Sequence, residues 1–130
     1  MLKIGIIGAG RIGRVHCESI TRYVKNAVVK AIADPFITEE TAKWAKDKGI
    51  SEIYDDYKKI LADKEIDAVL ICSSTDTHSA ISLDAIAAGK HVFCEKPIDH
   101  DVKKICKVLD ALKESKVKYQ VGFNRRFDHN

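Results

Sequence analysis

Five short runs of the chain are almost unbroken in apolar character: LKIGII from Leu2, AVVKAIA from Ala27, AVLIC from Ala68, HVFCEK from His91 and KYQVGF from Lys118. They are rich in Val and Ile and do not alternate with polar residues, so they read as strands covered on both faces. A weaker strand is expected near Ile53 and Tyr54. Between the runs, apolar residues recur at helical spacing. From Asp101 to Lys116, Val102, Ile105, Cys106, Val108, Leu109 and Leu112 share one face, and Lys103, Lys104, Lys107, Asp110 and Glu114 the other. That pattern predicts a surface helix lying on a sheet. A helix after Gly10 is expected to bury Ile12, Val15, Ser19, Ile20 and Tyr23. Thr38 caps a third helix, with Glu39 and Glu40 in its first turn and Gly49 at its end. Asp76 to Ala88 predicts another, capped by Asp76 or Thr77 and stopped by Gly89.

Strands alternating with helices imply an α/β fold, a doubly wound parallel sheet with right-handed crossovers. At 130 residues the chain matches one domain able to bury its own core. In such a sheet ligands bind outside the carboxyl ends of the strands. Composition removes several other functions. The formal charge is only +3, from 22 basic and 19 acidic side chains spread through the predicted helices, which argues against a nucleic-acid groove. No apolar stretch is long enough to span a bilayer, and Met1 to Lys3 run straight into the first strand, so no membrane association and a cytoplasmic location are expected. Cys17, Cys72, Cys94 and Cys106 form no CxxC pair, which predicts no metal site and four reduced, mostly buried thiols.

The first strand is followed by GAGRIG, with glycines at Gly8, Gly10 and Gly13. Such a fingerprint has separate requirements at each position: a tight turn at Gly8, close approach of backbone to a pyrophosphate at Gly10, and close packing of helix on strand at Gly13. Amide groups at the helix start would bind the phosphate oxygens. The second strand ends in Asp34, about twenty residues on, where the fingerprint expects an acid for the adenosine ribose. No arginine follows in ADPFITEE, which favours NAD over NADP; Asp before Pro35 is also an ordinary turn former. The fourth strand ends in CSSTDTH, where Ser73, Ser74 and Thr75 supply hydroxyls and His78 either reaches a ligand or sits at the sheet edge. The fifth ends in HVFCEKPID. Pro97 biases Lys96 toward extended backbone, which would aim the ammonium at the nicotinamide end of a dinucleotide, able to donate to a substrate hydroxyl. Alternatively Glu95 and Lys96 are a solvated charge pair ending a strand.

GAGRIG, ADP, SSTDTH, EKP and GFNRRFD, in that order, resemble the amino-terminal half of the glucose-fructose oxidoreductase and inositol dehydrogenase family. The resemblance implies an NAD-binding Rossmann domain over residues 1–123, with 124–130 beginning the connection to a carboxy-terminal substrate domain absent from the chain. It implies that Gly8, Gly10, Arg11, Ile12 and Gly13 hold the pyrophosphate and Asp34 the ribose. Ser73, Ser74, Thr75 and His78 would line the cofactor, with Glu95 near the nicotinamide ribose. Lys96 would be the catalytic lysine and Arg125 would point toward a polyol or sugar substrate. The base that removes the hydroxyl proton would lie in the absent domain, through which the parent would form homo-oligomers; His129 reads as a surface residue. The chain alone is therefore expected to be inactive. The main alternative is a complete, non-catalytic NAD-binding or regulatory module, since a Rossmann fold does not specify function. A methyltransferase is a weaker one, having no use for Glu95, Lys96 and Pro97. A chain ending in GFNRRFDHN directly after an edge strand reads as cut from a longer parent.

Overall fold

The computed structural model describes residues 1–123; Arg125 and His129 lie outside the described residues. The apolar runs are strands β1 (Leu2–Ile7), β2 (Ala27–Ala33), β4 (Ala68–Ile71), β5 (His91–Glu95) and β6 (Tyr119–Gly122), and the weak segment is β3 (Glu52–Tyr54). They form one sheet of order β3-β2-β1-β4-β5-β6 with every neighbouring pair parallel. The helices are α1 (Arg11–Tyr23), α2 (Glu39–Asp47), a short α3 (Lys58–Ala62), α4 (His78–Ala87) and α5 (Val102–Lys113).

The unbroken apolar character of the strands follows from two core layers. Ile4, Ile6, Val29, Ile32 and Leu70 face Cys17 and Ile20 of α1 and Ala45 of α2. On the other face Ile7, Ala33, Val69, Ile71 and Val92 meet Ile60 of α3, Ile81, Ala85 and Ile86 of α4, and Val108 of α5. Successive residues of a strand serve opposite layers, as Leu70 and Ile71 do. None of the helices of the described residues is long and apolar enough to cross a membrane.

Four expectations need correction. In α1 the buried residues are Gly13, Cys17 and Ile20, while Ile12, Val15 and Tyr23 are exposed. The helix is phased by its backbone contact at Gly13, so the inward stripe starts there and not at the first bulky residue. In α5 only Val108 is fully buried; Val102, Cys106 and Leu109 are exposed, because the helix leans on α4 near the end of the sheet. Of the four free thiols, Cys17 and Cys94 are buried, Cys72 is half-buried and Cys106 is exposed. The cap of α4 also differs. A 3-10 turn, Thr75–Thr77, precedes that helix, and the Thr77 hydroxyl donates to the Ser74 carbonyl (2.6 Å) and accepts no helix amide. Thr38 does cap α2, accepting from the Thr41 amide (3.2 Å).

At the opposite end of the sheet from the Gly-rich turn, the buried Lys90 ammonium donates to the carbonyls of Asp63 (2.6 Å) and Ile66 (2.7 Å), fixing the segment between α3 and β4. Lys90→Met keeps the aliphatic packing but strands both carbonyls. It is expected to cost about 2–3 kcal/mol, read as a lower urea midpoint with an unchanged m-value.

Candidate functional site

The three glycines sit in one turn and meet three different constraints. Gly8 has φ +106°, and a Cβ there would lie 2.6–2.7 Å from the backbone of Cys72 and Ser73 at the tip of β4. A Cβ on Gly13 would lie 1.9 Å from the Gly8 carbonyl oxygen, so α1 can rest on the turn only because that atom is missing. Beyond its own chain neighbours and helix backbone, a Cβ on Gly10 would meet no heavy atom of the described residues within 4 Å. The structure itself thus requires Gly8 and Gly13, whereas Gly10 stands at an open position at the start of α1.

Gly10 is also the N-cap of α1, and no side chain caps that helix, whereas Thr38 caps α2 and Asp101 caps α5. The first-turn amides of α1 have no intrahelical acceptor and face the strand tips with the positive end of the helix dipole. Arg11 and Ile12 are exposed at this edge. The turn is braced from several sides. Gly8 N–H donates to the Ala33 carbonyl (2.8 Å), and Arg14 donates to the Ala9 carbonyl (3.3 Å) and the Thr41 hydroxyl (2.9 Å), its guanidinium 5.1 Å from the Trp44 ring centroid.

Asp34, at the end of β2, accepts from the Ala9 amide through Oδ2 and from the Phe36 amide through Oδ1, both at 2.8 Å. Asp34 therefore forms the turn at Pro35 and Phe36, as the turn-former reading expects, and it also anchors the glycine turn. Each carboxylate oxygen keeps lone-pair capacity for a further donor. Beside it a cleft of about 600 Å³ opens over the tips of β1 to β4. Asp34, Asp55, Asp56 and Asp76 line it, together with Phe36 and Tyr57, and among the described residues no Lys or Arg lines it. Burial and a hydrogen bond to Asp84 (2.5 Å) push the Tyr57 phenol up to about 12, so it stays a donor at neutral pH.

Ser73 and Ser74 line the same cleft, but Thr75 does not. Thr77 spends its one hydroxyl hydrogen on the Ser74 carbonyl, so the Ser73 hydroxyl, 2.7 Å away, donates to Thr77 and is left to accept from any ligand. His78, expected along a cofactor, is 2% exposed and has both ring nitrogens against main-chain carbonyls: Nδ1 is 2.7 Å from Pro97 and Nε2 2.9 Å from Ser73. Its ring is committed to the protein's own backbone.

Glu95 and Lys96 lie beyond β4, outside the acidic cleft. Lys96 is exposed at a bend, joined to Pro97 by a cis peptide. Glu95 is not paired with it; its Oε1 lies 2.5 Å from Nε2 of His16, whose ring stands edge-on to Phe93 with centroids 5.3 Å apart. Burial first, then the nearby Glu95 and Cys94, push the Cys72 thiol up to about 12, which leaves it protonated and a poor nucleophile. Arg125 lies outside the described residues.

Sequence reasoning missed His16, Arg14 and Tyr57. The signal for His16 was its position one turn beyond Gly13 on the face next to the buried stripe, hidden when Ile12 and Val15 were taken as the core face. Tyr57 gave no signal, because the loop between β3 and α3 carries no fingerprint.

Residues 2–123 match the family described as oxidoreductase family, NAD-binding Rossmann fold. The chain is 39% identical over 130 residues to a myo-inositol 2-dehydrogenase of Thermotoga maritima, covering 99% of the chain and 38% of that protein. It is 40% identical over 128 residues to an inositol 2-dehydrogenase of Rhizobium meliloti, covering 98% of the chain and 37% of that protein. The crystal structure of scyllo-inositol dehydrogenase from Lactobacillus casei with bound NAD(H) and scyllo-inositol superimposes with TM-score 0.92 at 34% identity, over 99% of the chain and 38% of that protein. The chain thus spans little more than a third of the relatives it matches.

The glycine geometry separates two variants. Gly13→Ala forces α1 off the turn and is expected to destabilise the fold by on the order of 1–3 kcal/mol, while Gly10→Ala meets nothing and leaves the urea midpoint nearly unchanged. Equal midpoints would show that the helix does not depend on the Gly8 contact.

Proposed function

The chain belongs to the oxidoreductase family with an NAD-binding Rossmann fold, and we propose that it is the cofactor-binding part of a dehydrogenase acting on a hydroxyl of an inositol-like polyol or sugar. The observation that carries the reading is the open, uncapped start of α1 at Gly10 beside the anchored carboxylate of Asp34. A pyrophosphate needs backbone amides at a helix start with no side chain in the way, and an adenosine ribose needs a fixed acceptor next to them. The residues present fit both halves of that requirement.

On this reading the amides around Gly10, Arg11, Ile12 and Gly13 hold the pyrophosphate, and Asp34 accepts from the ribose hydroxyls. Ser73 and Ser74 border the cofactor at the tip of β4. Four carboxylates around the cleft, with no cation lining it among the described residues, oppose a 2′-phosphate, which favours NAD over NADP. Bound NAD supplies a hydride acceptor. Glu95 lies near the nicotinamide ribose with its carboxylate oriented by His16. The exposed Lys96 ammonium donates to the substrate hydroxyl and stabilises negative charge on its oxygen. Residues 124–130, including Arg125, begin the connection to a substrate domain that supplies the proton acceptor, and the assembled protein is a homo-oligomer. The family match ending at residue 123 supports that boundary. The 39% identity to a protein named for myo-inositol supports the substrate class.

Calorimetric titration tests the cofactor. NAD is expected to bind and NADP to bind much more weakly. Asp34→Ala should lose about 1.5–3 kcal/mol, tenfold or more in NAD affinity, and Gly10→Val should abolish binding with an unchanged circular dichroism spectrum. Equal affinity for the two dinucleotides, or normal binding by Gly10→Val, contradicts the assignment.

Turnover is a separate matter. Alignment of substrate and exclusion of water can supply on the order of 7 kcal/mol of a barrier, and they need the remainder of the protein. With NAD and myo-inositol the 130-residue chain is expected to show no growth of reduced-cofactor absorbance. Formation in proportion to protein concentration would mean that a proton acceptor lies within these residues.

A further inference from the structure

We propose that His78 is a positioning residue held as a doubly protonated imidazolium, which bolts the loop carrying Lys96 to the tip of β4. Its ring lies between two acceptors, the Pro97 carbonyl at 2.7 Å from Nδ1 and the Ser73 carbonyl at 2.9 Å from Nε2. A carbonyl oxygen can only accept. Neutral imidazole has one N–H, so either tautomer would leave a nitrogen lone pair facing an oxygen lone pair within hydrogen-bond distance. Only the cation gives both carbonyls a donor, and charge-assisted bonds are the stronger kind.

A charge at 2% exposure needs compensation. Burial acts against the proton, but contact with the Cys94 thiol and the two carbonyls overcomes it, raising the group from 6.5 to about 9. Cys94 of β5 is the titratable neighbour; it also adjoins Tyr119 of β6, whose hydroxyl lies 2.8 Å from that of Ser82 of α4.

The clamp has a second point. Ser79, the next residue of α4, donates to Asp99 Oδ2 (2.7 Å), whose other oxygen accepts from the Asp101 amide (2.9 Å). Two consecutive residues at the start of α4 thus secure the backbone after Lys96, while His16 holds the side chain before it. Lys96 is left as an exposed side chain on a backbone fixed from both sides. The importance of that lysine rests on the function proposed above; the state of His78 does not.

The test uses the 130-residue chain without cofactor, so its outcome is independent of NAD binding. Nitrogen-15 spectra of the histidine rings should show both His78 nitrogens protonated at pH 7.5, with titration near 9. A singly protonated ring at that pH overturns the proposal. A raised pKa adds stability that is complete below 6.5 and is lost as pH rises to about 9, so the unfolding equilibrium should shift roughly tenfold per pH unit toward the unfolded chain across that window. His78→Gln should remove this dependence and increase amide exchange at residues 98–101 more than in β1 or β2. A pH dependence retained in the variant, or uniform exchange changes, would show His78 to be ordinary core. Where the variant fails to fold, the wild-type ring spectrum still decides.

Discussion

The contact between Gly13 and the Gly8 carbonyl governs where the other groups at the carboxyl edge of the sheet can lie. Because no side chain separates them, α1 settles directly on the turn that precedes it. Its next residues then reach different elements: Arg14 meets Thr41 of α2, His16 meets Glu95 of β5, and Cys17 enters the core. A helix even one side chain farther out could not make all three contacts. The turn is in turn fixed by Asp34, so β2, β5 and α2 are all referred to the same few backbone atoms.

This arrangement divides the strand tips into two chemically unlike halves. Over β1 to β4 the surroundings are acidic and concave, with Asp34, Asp55, Asp56 and Asp76 around the cleft. At the tip of β5 an exposed cation, Lys96, stands on a loop tied down by α4. β4 separates the halves, and Ser73 belongs to both, its hydroxyl at the cleft and its carbonyl on His78.

Much of the fold was legible in the sequence because strands covered on both faces have to be apolar throughout. LKIGII and AVVKAIA coincide with β1 and β2 from end to end. The helices were less legible. Periodicity identifies a stripe, but which stripe turns inward is set by backbone contacts such as that at Gly13, and Ile12, Val15, Val102 and Leu109 were assigned inward when they face out. The site divided along the same line. Gly8 and Gly13 were readable because local backbone geometry dictates the residue type. His78 was read as bordering a ligand, and His16 was passed over, because their partners Pro97 and Glu95 lie 19 and 79 residues away. Nothing local announces a long-range hydrogen bond.

The stacking of Arg14 on Trp44 gives the chain an optical property. Trp44 is the only tryptophan, and the guanidinium above it is the one that also donates to the Ala9 carbonyl inside the glycine turn. Any shift of that turn therefore moves a positive charge relative to a single indole. The emission of this protein is thus wired to the first loop of its sheet, without an introduced dye and without interference from a second fluorophore of the same kind.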